Sequence, residues 1–128
     1  MATILIVDDD PNIRDTTSLR LELAGHDVVT VGSAAEALDA ARRQRFDMAV
    51  LDIQMPGTDG LQLLRDLRGH EPTRTLPVAF YTAHATEAVA AEAIRLADAY
   101  LTKGQPLSRL LSTVDSLSMS RSQPAPGE

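Results

Sequence analysis

Apolar runs alternate with amphipathic stretches along most of the chain. Ile4-Leu5-Ile6-Val7 is a continuous, largely β-branched run that ends in Asp8-Asp9-Asp10. A strand apolar on both faces belongs in a buried parallel sheet. Asp10-Pro11 reads as a helix start, with Asp10 the N-cap and Pro11 at the first helical position, where its missing N–H leaves no bond unmade. This helix is expected to reach about Ala24 and stop at Gly25. Asp27 to Val31 is the second strand. Ser33 caps the second helix, and Glu36 completes a capping box. Phe46 to Leu51 is the third strand, ended by Asp52. Pro56-Gly57 breaks the chain, and Asp59 opens a helix carrying Leu61, Leu63, Leu64 and Leu67. Pro77 to Tyr81 is the fourth strand, ended by Thr82, and an alanine-rich helix follows from about Thr86 to Leu96. Ala99-Tyr100-Leu101 is a short fifth strand ending at Lys103. Pro106 opens a last helix with Leu107, Leu110, Leu111, Val114 and Leu117 at helical spacing.

Five βα units predict an α/β fold: a doubly wound, five-stranded parallel sheet with five helices and right-handed crossovers. At 128 residues the chain holds one domain, expected over 1–117. The serine-, proline- and glycine-containing stretch 118–128 reads as a flexible, linker-like tail. With aromatic residues at 3%, the core must be aliphatic and base stacking has few platforms. A net charge of −6 repels a phosphate backbone, so no nucleic acid is expected to bind this domain. The absence of cysteine excludes disulfides, thiolate zinc sites and thiol nucleophiles. No apolar stretch approaches the roughly 20 residues of a membrane span, and the start carries no basic leader. No membrane association and a cytoplasmic location are therefore expected.

In open parallel sheets, sites form outside the carboxyl ends of the strands. Those ends carry Asp8 and Asp9, Asp52, Thr82 and Lys103. Crowded carboxylates repel one another and call for a cation. An oxygen-only set with no His or Cys suits a hard ion such as Mg²⁺, which favours one or two carboxylates plus a phosphate. A carboxylate is also a competent nucleophile toward phosphorus. An ammonium and a hydroxyl nearby would stabilise charge on the phosphoryl oxygens.

The segments Ile4 to Pro11, Leu51 to Gly60, Tyr81-Thr82-Ala83 and Tyr100 to Lys103 together resemble the receiver domain of a two-component response regulator. The similarity runs from about Ala2 to Leu117. It implies a flavodoxin-like strand order, 2-1-3-4-5. It implies phosphorylation of Asp52, with Mg²⁺ held by Asp8, Asp9, Asp52 and the backbone carbonyl of Gln54. Lys103 and Thr82 would stabilise the phosphoryl group, and Thr82 and Tyr100 would act as the switch. The donor would be a sensor histidine kinase or a phosphotransfer protein. The output would be a homodimer or a downstream effector, bound through the helix 86–96, strand five and the last helix. Such a domain is a signalling switch that assists its own phosphorylation and dephosphorylation, not a metabolic enzyme.

Other readings fit less well. A flavin-binding domain on the same fold would meet the flavin phosphate with Asp8-Asp9-Asp10. A phosphatase of the haloacid-dehalogenase kind needs a second acid two residues after the nucleophile, where this chain has Gln54. A receiver that is never phosphorylated would not need the full set Asp9, Asp52, Thr82 and Lys103. Asp10 and Asp59-Gly60 read as helix starts without chemistry. His26 and His70 read as solvated, and His84 lies on the rim of the site. The chain departs from the family after Lys103, where Gly104 replaces the usual proline, so Lys103 is expected to be held less rigidly. On the first helix Ile13, Thr17, Leu21 and Ala24 share the inward face. Leu19 and Leu23 lie on a flank and, with Ile13, form a candidate partner-docking ridge.

Overall fold

The computed structural model describes residues 2–122 other than Pro56, Thr58 and His84. The chain runs β1 (Thr3–Val7), α1 (Pro11–Leu23), β2 (Asp27–Val31), α2 (Ala34–Arg43), β3 (Met48–Leu51), α3 (Gly60–Arg68), a 3₁₀ turn at Glu71–Thr73, β4 (Val78–Thr82), α4 (Glu87–Leu96), β5 (Ala99–Thr102) and α5 (Leu107–Ser122). The strands form one five-stranded parallel sheet in the order β2-β1-β3-β4-β5. Ile4 lies between Val28 and Met48, and Val7 between Val31 and Leu51, so the β1 end that carries the acidic turn is central.

The two-residue period of the strands sorts the core into two layers. Leu5, Val7, Ala49, Leu51, Val78 and Phe80 pack with Ala37 of α2, Leu63, Leu64 and Leu67 of α3, and Ala93 of α4. Ile4, Ile6, Met48, Val50, Ala79 and Leu101 pack with Leu21 of α1 and with Leu110 and Val114 of α5. Three helices thus cover one face and two the other. Each large aliphatic side chain taken out of water contributes about 1.5–3 kcal/mol.

Side-chain caps set the helix starts. Asp10 accepts from the Asn12 N–H at 2.9 Å, Ser33 from Glu36 at 3.2 Å, Asp59 from Gln62 at 2.9 Å and Thr86 from Val89 at 3.3 Å. The Glu36 carboxylate reaches back to the Gly32 N–H at 3.3 Å, one residue before the N-cap. Gly25, with φ +98°, lets the chain leave α1 in the left-handed region that other residues rarely adopt.

The structure corrects several expectations. β3 begins at Met48 rather than Phe46, because Asp47 bonds Thr3 with both its N–H (2.8 Å) and its carboxylate (2.9 Å) and turns the chain into the sheet. Of the stretch expected as a tail from residue 118, residues 118–122 belong to α5, which continues through Ser122 with Ser118 buried. No glycine or proline interrupts the sequence there before Pro124, so the helix need not stop at Leu117. Residues 123–128 of that expected tail lie outside the described residues. Ala24 is exposed rather than inward. His26 is not solvated: its side chain is 8% exposed and its Nε2 lies 2.9 Å from Asp115 on α5. The roles read for Pro56 and His84 also lie outside the described residues.

Gly60 fixes the distance between α3 and the end of β3. A Cβ there would lie 2.2 Å from the Asp52 carbonyl oxygen and 2.9 Å from the Ile53 Cα, both backbone atoms. Gly60→Ala should therefore cost about 1–3 kcal/mol by overpacking. Gly69→Ala, whose nearest such contact would be an ordinary 3.5 Å, should change stability by less than about 0.5 kcal/mol. Urea unfolding of the two variants checks the contrast.

Candidate functional site

The parallel ladder continues one residue past the strands and so fixes the site's backbone. Asp8 N–H donates to Val31 at 3.2 Å, Asp52 N–H to Val7 at 2.9 Å, and Lys103 N–H to Thr82 at 3.0 Å. Asp8, Asp52 and Lys103 thereby emerge side by side at the carboxyl edge. The Lys103 ammonium donates to Asp8 Oδ2 at 2.7 Å and to Asp52 Oδ2 at 3.1 Å. The other oxygens of the two acids are held by backbone, Asp8 Oδ1 by the Asp10 N–H at 2.9 Å and Asp52 Oδ1 by the Gln54 N–H at 3.3 Å. Asp8 and Asp52 are buried, whereas Asp9 is exposed.

Asp8, Asp9 and Asp52 each bring one carboxylate oxygen within 4.8 Å of the others. Three carboxylates and one ammonium leave a local formal charge of −2, which a divalent cation would neutralise. The donors are all oxygen, as Mg²⁺ requires, so the residues fit the ion.

Burial raises the Asp8 pKa, because the charged form loses water; the hydrogen bonds from Lys103 and Asp10 only partly offset this. For Lys103 burial acts in the opposite direction, but the hydrogen bonds and charges of Asp8 and Asp52 outweigh it and raise its pKa. Tyr81 is also raised, chiefly by burial, with the Asp8 charge adding and Lys103 opposing. Its ring packs on the α1–α5 side of the sheet, beside the site.

Thr82 is 1% exposed, and its hydroxyl has no hydrogen-bond partner among the described residues. A buried hydroxyl left unpaired is costly, and it is available to an incoming acceptor. Tyr100 pairs with Phe80 across the β4–β5 ladder and packs, half-buried, on the α4 side. The Gln54 side chain is exposed. On α1, Ile13 is half-buried, while Leu19 and Leu23 are 57% and 74% exposed.

Gly104 lies in a turn bounded by Thr102 and Gln105. Gln105 closes the turn, its N–H donating to the Thr102 carbonyl at 3.1 Å and its side-chain oxygen accepting from the Thr102 N–H at 3.3 Å. Sequence reasoning passed over Gln105, and also Arg14, whose guanidinium donates to the Asp8 carbonyl at 2.8 Å. The only signal for Arg14 was its position four residues after the helix cap.

Comparison with known proteins agrees with this geometry. The family model for the response regulator receiver domain matches residues 4–115. The chain is 40% identical over 114 residues to the response regulator protein FleR of Pseudomonas aeruginosa, covering 88% of this chain and 24% of FleR. It spans 24–37% of the length of the curated relatives first matched. The chemotaxis protein CheY4 of Vibrio cholerae superposes with a TM-score of 0.84 at 30% identity, over 91% of this chain and 98% of that one. The response regulator protein TrrA of Thermotoga maritima, crystallised in complex with Mg²⁺-BeF, superposes at 0.81 and 30% identity, over 91% and 99%. The chain belongs to the receiver domains of two-component response regulators, signalling switches characterised by an aspartate phosphorylated with Mg²⁺. Among the described residues no helix is long and apolar enough to cross a membrane.

The raised Asp8 pKa carries a sign. A carboxyl whose folded pKa lies above its unfolded value opposes folding when ionised, and that cost is relieved as pH falls through the folded pKa. In chelator, Asp8→Asn should melt above wild type at pH 7. The difference should shrink as the pH is lowered toward the acid range. Thermal unfolding from pH 7 downward checks both statements.

Proposed function

We propose that Asp52 is the phosphoacceptor, and that Asp8, Asp9, Asp52 and the backbone carbonyl of Gln54 hold the Mg²⁺ that the reaction needs. The observation that carries this reading is the Lys103 ammonium bonded to both Asp8 and Asp52 beside the unpaired Thr82 hydroxyl. Bound Mg²⁺ would supply charge stabilisation for the phosphoryl oxygens.

An Asp52 oxygen attacks phosphorus as the bond to the donor's imidazole nitrogen breaks, and the freed imidazole takes up a proton. Lys103 stays with the transferred group and offsets its charge, while Thr82 donates its hydroxyl to it. Hydrolysis by water reverses the state, so the domain assists its own phosphorylation and dephosphorylation. Movement of Thr82 toward the phosphoryl group opens space on the α4 side for Tyr100. This biases a two-state equilibrium of α4, β5 and α5, the face offered to a homodimer partner or a downstream effector. Ile94 on α4, 60% exposed, gives that face an apolar contact. The donor is a sensor histidine kinase or a phosphotransfer protein, docking along Ile13, Leu19 and Leu23. A donor recharged from ATP puts the exchange in the cytoplasm.

Incubation with acetyl phosphate and Mg²⁺ should add one phosphoryl group by intact mass, and Asp52→Asn should add none. Equal gains in the two proteins would refute the assignment. At a hundredfold excess over its Kd, Mg²⁺ should stabilise the fold by about 2.7 kcal/mol through linkage. A melting temperature indifferent to Mg²⁺ would remove the metal site. Beryllofluoride should alter amide-exchange protection between Thr82 and Lys103, and Thr82→Ala should abolish that response.

A further inference from the structure

Every polar group of Asp8 is partnered. Its N–H donates to Val31 at 3.2 Å, its carboxylate takes the Asp10 N–H at 2.9 Å and Lys103 at 2.7 Å, and its carbonyl takes Arg14 Nη1 at 2.8 Å. The last of these comes from a half-buried side chain on α1 that crosses toward the end of β2. There it sits over Gly32. A Cβ on Gly32 would lie 2.6 Å from Arg14 Nη1 and 3.6 Å from Cζ, so the missing side chain is the space the guanidinium occupies. The Gly32 backbone is not in the left-handed region, so its conformation does not by itself call for glycine. The first backbone bond of α1, from the Arg14 N–H to the Asp10 carbonyl at 3.0 Å, fixes where this side chain leaves the helix.

We propose that Arg14, seated over Gly32, is a positioning residue that holds the Asp8-Asp9-Asp10 turn in its cation-binding geometry. The proposal rests on the metal reading above. Arg14 can influence a cation through that site in two ways, and they have opposite signs. As a nearby positive charge it repels Mg²⁺, so its removal would tighten binding. As the donor that fixes the Asp8 carbonyl it aligns the ligands, so its removal would loosen binding. Residues that orient metal ligands from outside typically change affinity by tenfold or more, and a partly exposed charge is screened by solvent and salt. The positioning effect therefore dominates.

Gly32→Ala provides a test without removing the arginine. The atom it would strike is the tip of a flexible side chain, so the fold should tolerate the substitution while the guanidinium is driven off the Asp8 carbonyl. Mg²⁺ alone is titrated calorimetrically into the full chain and its variants. Amide exchange at Asp9 and Asp10 is read in the metal-free proteins. Arg14→Met and Gly32→Ala should each weaken Mg²⁺ binding about tenfold and speed exchange at Asp10. The double variant should be no weaker than either single one, and Arg14→Lys, which keeps a donor, should recover most of the loss. Unchanged or tighter Mg²⁺ binding in Arg14→Met, or wild-type exchange in Gly32→Ala, would overturn the proposal. A wild type that binds no Mg²⁺ would sink the metal reading, and the exchange measurements would still decide the role of Arg14.

Discussion

Lys103 joins the ends of three strands that are far apart in sequence. Its ammonium sits between Asp8 after β1 and Asp52 after β3, and its own backbone extends the β4–β5 ladder. Two buried carboxylates so close together would repel strongly in a medium that screens charge poorly. One ammonium reduces that repulsion without cancelling it. The remaining negative charge, with Asp9 at the rim, is what a divalent cation can neutralise. Such a bridge adds little net stability, because desolvation offsets much of its attraction. Its importance is geometric: it holds a charged, reactive edge together until a ligand arrives.

The rest of the fold supplies precision to that edge. The sheet places β1 and β3 as neighbours, so two acids emerge side by side. Gly60 lets α3 approach the Asp52 carbonyl closely, and Gly32 makes room for the guanidinium behind Asp8. The Thr82 hydroxyl is buried in this site without a hydrogen-bond partner among the described residues. In the proposed function its partner is the incoming phosphoryl group, sensed at the end of β4.

Much of this was legible in the sequence, for identifiable reasons. The apolar runs of β1 and β3 are short, bounded by acids and apolar on both faces, as strands of a two-sided sheet are, and Asp10, Ser33, Asp59 and Thr86 announce the helices they cap. The four chemistry-bearing strand ends followed from those strands and from where sites form in such sheets. Other features depend on contacts between segments. The turn after Lys103 is closed by the Gln105 side chain bonding the Thr102 N–H. The late start of β3 depends on Asp47 meeting Thr3. The burial of His26 depends on its ring meeting Asp115 on α5, and that helix runs on past Leu117, where a serine-rich composition resembles a linker. Local pattern carries no information about such pairings.

The central claim is that the Lys103 ammonium stands in for part of the cation charge at the acidic edge. Calorimetric Mg²⁺ titration of Lys103→Met against wild type tests it most directly, with melting in chelator measured on the same samples. The account predicts that the variant is less stable without metal, because two buried carboxylates lose their counter-ion, and that it binds Mg²⁺ more tightly, because a competing charge has gone. Weaker or unchanged Mg²⁺ binding in the variant would contradict it.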